Sequence, residues 1–263
     1  MLIFHHIPKT AGSTFLSILS RQYAKEEIFK IDGLNPQNSL ERFKSFSLEK
    51  RNSFKLIMGH LADHFVPFLT VEHQKIIFVR DPADHFISAY HYLKRASHNP
   101  SHQKVLKMNS ITEFIELRKS QNLGNLQSRH ISGMTQFLLN NEPAEKVDVN
   151  QLRDQAIRVV EKTDFLFTTE RFDESILTLK NELGWKKNPY YKTRNKTKNR
   201  PASEVYSDGI LEQIKLLNAV DVEIYNLCRE RFELKYKVLG TDEFQKSLRK
   251  FRNFNSIRSF LRT

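Results

Sequence analysis

The sequence predicts an α/β protein in which helices cover both faces of a central, mainly parallel sheet, a three-layer α/β/α arrangement. Short apolar runs typical of buried strands alternate with longer stretches in which apolar residues recur every three to four positions. Strands that alternate with helices run parallel, and the ligands of such sheets bind where the strands end. Functional side chains are therefore expected at the predicted strand ends.

The elements follow from these patterns in chain order. The run Leu2-Ile3-Phe4 predicts the first strand, and apolar spacing from Phe15 to Leu19 predicts the first helix. Residues 23–54 are polar with scattered phenylalanines, which indicates a loosely helical insertion, and residues 98–109 are predicted to be a polar loop. Further strands are predicted at 55–58, 75–79 and 164–168. Further helices are predicted at 82–93, 110–119, 125–140, 150–162, 174–183 and 208–232.

The 263-residue chain is long enough for a sizeable core, and its net charge of +12 is local. Residues 186–200 and 245–263 hold thirteen Lys or Arg and no acidic residue, so the remainder is close to neutral. Such a local positive field favours one or two anionic partners. The single cysteine, Cys228, cannot form an internal disulfide, and neither a signal peptide nor a membrane span is recognisable. These features predict a cytoplasmic protein.

The turn at residues 8–14, between the first strand and the first helix, is a candidate anion site. Backbone N–H groups and the positive end of the helix dipole converge there. Lys9 adds a charge, Gly12 allows close approach, and hydroxyl groups come from Thr10, Ser13 and Thr14. The arrangement is P-loop-like, although the lysine of a Walker A motif follows its glycines. An ordinary strand–turn–helix with a surface lysine would give the same pattern.

Three more candidates stand at or near the other strand ends. His60 follows a strand and a glycine, and a neutral imidazole can take a proton near pH 7. Arg80 follows the next strand, and Ser88 lies two turns into the following helix, a combination that suits a phosphate. The residues alone also allow Arg80 to pair with a nearby acid and Ser88 to be a packing residue. The alternative bases to His60 are His5, His6 and His64.

Two segments resemble those of sulfotransferases. The segment HIPKTAGSTF, at 6–15, resembles their 5′-phosphosulfate loop, especially that of enzymes that modify carbohydrate hydroxyls. The segment IIFVRDPADHFISAYHYLK, at 76–94, is similar to their 3′-phosphate segment. Gly59-His60 resembles the Gly-His of the uronyl 2-O-sulfotransferases, whose histidine is the catalytic base.

The resemblance implies a donor, 3′-phosphoadenosine 5′-phosphosulfate (PAPS), an acceptor hydroxyl on a glycan or glycoconjugate, and no metal. It implies that His60 is the catalytic base and that Lys9 stabilises the leaving oxygen. The 5′-phosphosulfate would be held by Lys9, Thr10, Ala11, Gly12, Ser13 and Thr14. The 3′-phosphate would be held by Arg80 and Ser88, and a loop with Arg200 and Ser203 would close over the nucleotide. Residues 125–129 resemble a segment near the acceptor cleft, or form a plain helix start.

Two other functions fit parts of the sequence. A P-loop kinase would share the fold and would need a carboxylate such as Asp81 for Mg²⁺, although Asp81-Pro82 also suits a helix start. A non-catalytic protein could bind polyanions through its basic segments. No nucleic-acid-binding motif is recognisable, so nucleic acid is not an expected partner.

The division expected is a sulfotransferase domain at 1–240 and a basic amphipathic tail at 241–263. Apolar residues recur in the tail at helical spacing, with six cationic residues among them. Such a helix can bind an anionic membrane, pack on its own domain or join a second copy of the chain. The sequence leaves these three possibilities open.

Overall fold

The structure is a computed structural model, and it describes residues 1–192 and 205–260, without the side chains of 238 and 257–260. Within these residues the chain forms a five-stranded sheet in which every pairing is parallel. The strands lie in the order β2-β3-β1-β4-β5. They are β1 (Leu2–His5), β2 (Ile28–Lys30), β3 (Leu56–Gly59), β4 (Gln74–Val79) and β5 (Phe165–Thr168). The predicted parallel sheet is confirmed.

Helices occupy most of the chain between and after the strands. They are α1 (Gly12–Gln22), α2 (Pro36–Ser45), α3 (Leu48–Ser53), α4 (Pro82–Leu93), α5 (His102–Leu106), α6 (Ile111–Ser120), α7 (Leu126–Ser132), α8 (Gln136–Asn140), α9 (Val149–Lys162), α10 (Phe172–Glu182), α11 (Asp208–Leu217), α12 (Ala219–Lys235) and α13 (Asp242–Phe260). The start of α4 follows the expected capping chemistry: Asp81 accepts a hydrogen bond from the Asp84 N–H at 3.0 Å, and Pro82 takes the first position of the helix. No helix among the described residues is both long and apolar enough to cross a membrane.

The chain divides into two compact units. The first consists of Met1–Val79, Thr163–Asn195 and Leu227–Thr263, and the second of Arg80–Lys162 and Lys196–Asn226. The first contains the whole sheet, whose inner strands β1 and β3 are buried on both faces. The second is helical, and its core is built on α4, α6 and α11.

The core of the first unit explains why its strands and helices come together. Alternate strand residues such as Phe4 and Phe78 point to one face of the sheet, and Phe15 from α1 packs on both rings, with centroids 4.7 and 5.0 Å away. Helices α10 and α13 complete the same apolar cluster. Strand residues of the opposite face, Ile3 and Ile57 among them, are also fully buried.

The structure differs from the sequence-based expectation in several elements. Residues 28–30, predicted as part of a helical insertion, form the edge strand β2. The predicted loop at 98–109 contains α5, and the predicted helix at 125–140 is divided at Gly133, whose φ of 78° is left-handed. The predicted helix at 208–232 is two helices that meet at Asn218.

The tail is helical, as expected, and its apolar stripe is buried in the core of the first unit. Phe244, Leu248 and Phe251 all belong to that core cluster. Arg252 on its polar face pairs with Asp173 at 3.0 Å. Of the possibilities that the sequence left open, these contacts support packing on the chain's own first unit.

Candidate active site

The candidate site of the first unit lies where β1 and β3 end at the same edge of the sheet. In the parallel register His5, the last residue of β1, is opposite Gly59, the last residue of β3. The loop at 8–14 therefore leaves the sheet beside His60, as the strand-end argument predicted. Arg80 follows β4 directly in the chain and belongs to the second unit.

The loop between β1 and α1 has an unusual backbone. Lys9 and Ala11 have φ values of 69° and 60°, the left-handed region that residues other than glycine rarely adopt. Such outliers cost energy and cluster at ligand-binding sites, and left-handed residues in turns are a feature of anion-binding nests. Ala11 is the N-cap of α1, and its methyl group cannot accept a hydrogen bond from the first-turn amides. These features suit an anion.

The hydroxyl of Thr10 has a role within the loop. Thr10 is fully buried, and its Oγ1 donates a hydrogen bond to the carbonyl oxygen of Ile7 at 2.8 Å. This bond shapes the turn and uses the hydroxyl proton. A contact of Thr10 with a bound anion would therefore be made by its backbone N–H.

Gly12 is required because the ring of His6 occupies the space beside it. A Cβ at Gly12 would lie 1.8 Å from His6 Nε2, far inside contact distance. The His6 ring also stacks on the His60 ring, with centroids 4.1 Å apart and planes at 23°. His6 thereby links the phosphate-type loop to His60 through direct ring contacts. From the sequence, His6 was predicted only as an alternative base.

His60 is held in one tautomer by the backbone. Its Nδ1 lies 2.7 Å from the carbonyl oxygen of His6, and a carbonyl can only accept, so Nδ1 carries the proton. Burial lowers the pKa of His60, and His5 also lowers it, whereas the hydrogen bond that Nδ1 donates to the His6 carbonyl raises it. No described residue forms a hydrogen bond with Nε2, which therefore presents a lone pair on a neutral ring.

A partly buried ion cluster joins β1 and β4 to the 3-10 helix that follows His60. Asp63, in the 3-10 helix Ala62–Phe68, lies 3.1 Å from His5 Nδ1 and 2.5 Å from Lys75 Nζ. Burial alone would raise the pKa of Asp63, but the contacts with His5 and with the Lys75 ammonium hold it well below its usual range. Burial also lowers the pKa of His64, against the attraction of Asp63.

The second unit holds Arg80 by its backbone. The side-chain amide of Gln127 accepts from the Arg80 N–H and donates to the Arg80 carbonyl, both at 2.9 Å. The guanidinium pairs with Asp84 at 3.1 Å, which is the acid pairing that the sequence allowed. Ser88 is buried, and its hydroxyl makes no hydrogen bond with any described residue. Ser88 is thus a polar group of α4 that a ligand could satisfy.

Residues 125–129 form two reciprocal helix caps in this unit. The buried carboxylate of Asp221 accepts from the N–H and hydroxyl of Ser128, at 2.7 and 2.5 Å, and so caps α7. Asn125 Oδ1 accepts from the N–H groups of Val220 and Asp221, at 3.0 and 3.2 Å, and so caps α12. Burial raises the pKa of Asp221 to about 6, against these hydrogen bonds. The segment is a helix start with a structural role.

Arg200 and Ser203, predicted to close over a nucleotide, lie outside the described residues. The reciprocal caps and the stacking of His6 were missed by sequence reasoning. Asp221 is more than ninety residues from its partners in the sequence. The packing of the His6 ring beside Gly12 depends on the folded structure and gives no recognisable sequence pattern.

A parallel sheet with a phosphate-type loop after β1 and a Gly-His after β3 defines a sulfotransferase-like α/β/α protein. The comparison with known families makes the assignment specific, because a model described as Galactose-3-O-sulfotransferase matches residues 1–260. The chain therefore belongs to the galactose 3-O-sulfotransferase family. The resemblance to sulfotransferases that the two segments showed is confirmed.

Individual relatives are distant. The chain is 23% identical to galactosylceramide sulfotransferase of Homo sapiens over 265 residues, and 23% identical to the protein of the same name of Bos taurus over 264 residues. Each alignment covers 97% of this chain and 62% of the relative. The chain thus spans about three fifths of the length of the curated relatives it matches.

Proposed function

We propose that the protein is an O-sulfotransferase that moves a sulfuryl group from PAPS to a hydroxyl of a galactoside. Family membership supports the reaction class, and the names of the relatives support galactose as the acceptor sugar. The observation that carries the mechanism is the geometry of His60: Nδ1 donates to the His6 carbonyl, which leaves Nε2 as the basic atom beside the phosphate-type loop.

The residues present fit the donor. The left-handed Lys9 and Ala11 and the close approach at Gly12 suit a phosphosulfate against the start of α1. The hydroxyl of Ser88, together with Arg80, suits the 3′-phosphate. We assign the 5′-phosphosulfate to residues 9–14, with Ser13 and Thr14 as hydroxyl donors, and Arg200 and Ser203 to the nucleotide on the resemblance alone.

The donor supplies a sulfur–oxygen bond whose cleavage leaves a phosphate oxygen. His60 Nε2 takes the proton from the acceptor hydroxyl while the hydroxyl oxygen forms a bond to sulfur, on the side opposite the departing phosphate oxygen. Lys9 stabilises the negative charge that develops on that departing oxygen. The lowered pKa of His60 keeps the ring neutral before the reaction, so that it is able to accept a proton at neutral pH.

One observation argues against the alternative that the protein is a P-loop kinase. Asp81, the carboxylate that would have to hold Mg²⁺, accepts a hydrogen bond from the Asp84 N–H and caps α4. A cap of this kind turns the carboxylate toward its own helix.

Calorimetry with two nucleotides tests the proposed function. 3′-Phosphoadenosine 5′-phosphate (PAP) should bind without metal and much more tightly than ATP with Mg²⁺. The reverse preference would contradict the proposal and support a kinase, and binding of neither nucleotide would support a polyanion-binding protein.

A further inference from the structure

The position of the acceptor follows from the order of the strands, if the proposed function holds. In-line transfer requires the acceptor oxygen on the side of the sulfur opposite the leaving oxygen. The donor loop follows β1 and the base follows β3, so the acceptor has to approach from the β3 side. The next strand on that side is β2, the edge of the sheet. The turn that leaves β2 is therefore the nearest part of the sheet edge to the incoming acceptor.

This turn, residues 32–35, lies against the base. A Cβ placed on Gly33 would be 3.1 Å from His60 Cδ2, so the backbone of the turn is close to the imidazole edge. Two hydrogen bonds of 2.9 Å fix its shape: the Asp32 N–H donates to Ser39 Oγ, and the Leu34 N–H donates to Asp32 Oδ1. A ligand that contacts this turn would meet a surface that is already ordered.

The exposed side chains of the turn have the chemistry of a sugar-binding surface. Leu34 is 76% exposed, which is the largest exposed fraction of any large apolar side chain among the described residues. Asp32 and Asn35 are exposed beside it, and hydrogen bonding to the Leu34 N–H lowers the pKa of Asp32 so that it stays ionised. Carboxylate and amide oxygens accept hydroxyl protons, and an aliphatic side chain packs on the C–H face of a sugar ring.

We propose that residues 32–35, the acceptor turn, bind the galactoside and set its hydroxyl against His60. Leu34 contacts the apolar face of the sugar, and Asp32 and Asn35 accept hydrogen bonds from its hydroxyls. A side chain at Gly33 would crowd the base.

Steady-state transfer to methyl β-galactoside tests this inference. Leu34→Ser should raise the KM for the galactoside about fivefold to tenfold, since part of a leucine's buried area is lost, with kcat and PAP affinity unchanged. Leu234→Ser is the matched control, because Leu234 is 69% exposed but lies on α12. The control should leave all three quantities at their wild-type values.

A second variant tests the contact with the base. Gly33→Ala places a methyl group against His60 and should lower kcat at least about threefold with PAP binding intact, because the base is displaced from the acceptor. An unchanged KM in Leu34→Ser, or an unchanged kcat in Gly33→Ala, would overturn the assignment of the turn as the acceptor site. In either case, PAP binding and sulfuryl transfer by the wild type would still support the proposed function. Failure of PAP to bind the wild type would overturn the proposed function and this inference together. Failure of transfer to methyl β-galactoside with PAP binding intact would overturn the galactoside as acceptor, both in the proposed function and at the turn.

Discussion

Replacing Gly12 by alanine should damage both the stability of the protein and its nucleotide site. The new Cβ would lie 1.8 Å from His6 Nε2, whereas carbon and nitrogen atoms in contact keep about 3.5 Å apart, so the ring has to move by about 2 Å. That ring lies between Phe4, with centroids 5.5 Å away, and His60, 4.1 Å away. Movement in this stack would displace His60 as well.

The magnitude follows from the packing. Crowding a buried position costs about 1–3 kcal/mol, and the better helix propensity of alanine recovers less than about 1 kcal/mol of it. We therefore expect a lower free energy of unfolding, and PAP binding weakened about tenfold or more because the first turn of α1 shifts. Thermal unfolding followed by circular dichroism and calorimetric titration with PAP measure the two effects.

Gly209→Ala is the matched control. Gly209 lies in α11, and an added Cβ there would meet no atom of the described residues within 4 Å. This variant should be as stable as the wild type, or more stable by up to about 1 kcal/mol, and should bind PAP normally. If Gly12→Ala behaved like Gly209→Ala in both assays, the packing of His6 against the loop would be refuted.

Three other perturbations test separate parts of the structure. Asp63→Asn should make the free energy of unfolding less dependent on pH in the acid range. The pKa of Asp63 is lower in the folded than in the unfolded state, so the stabilisation by its carboxylate is full above about pH 4 and is lost as the pH falls toward the folded-state pKa. Unfolding of both proteins at pH 7 and at pH 3 measures the difference. Asp221→Ala should lower the free energy of unfolding in urea by about 2–4 kcal/mol, because two N–H groups and a hydroxyl lose their acceptor. Glu223→Ala on the same helix removes an exposed ion pair and should lower it by less than about 1 kcal/mol. Equal losses would refute the capping role of Asp221. Arg80→Ala should weaken calorimetric binding of PAP more than that of adenosine 5′-phosphate, and equal losses would remove Arg80 from the 3′-phosphate site.

The elements around the candidate site were predictable because their signals are local. The runs of β1, β3 and β4 are apolar, and the hydroxyl-rich turn and the Asp81-Pro82 pair mark helix starts in a few residues. Strand β2 was missed because it has only three residues, and its pairing with β3 rather than its composition makes it a strand.

The rest of the site depends on contacts that no short segment reveals. The tautomer of His60 is set by a carbonyl 54 residues earlier, and the ion cluster at Asp63 joins residues of two strands and a 3-10 helix. The stripe on α13 was recognisable as apolar, but its burial against the first unit depends on the folded core. Apolar periodicity indicates that one face of a helix is buried, but it does not indicate which surface buries it.

Transfer of radiolabelled sulfate from PAPS to methyl β-galactoside, measured for the wild type and for His60→Ala, tests the central claim most directly. We expect transfer by the wild type, loss of turnover by at least about a hundredfold in the variant, and PAP affinity within about twofold of the wild type, because His60 acts on the acceptor proton. Comparable turnover in the two proteins, or a loss of PAP binding that matches the loss of turnover, would contradict the assignment of His60 as the base.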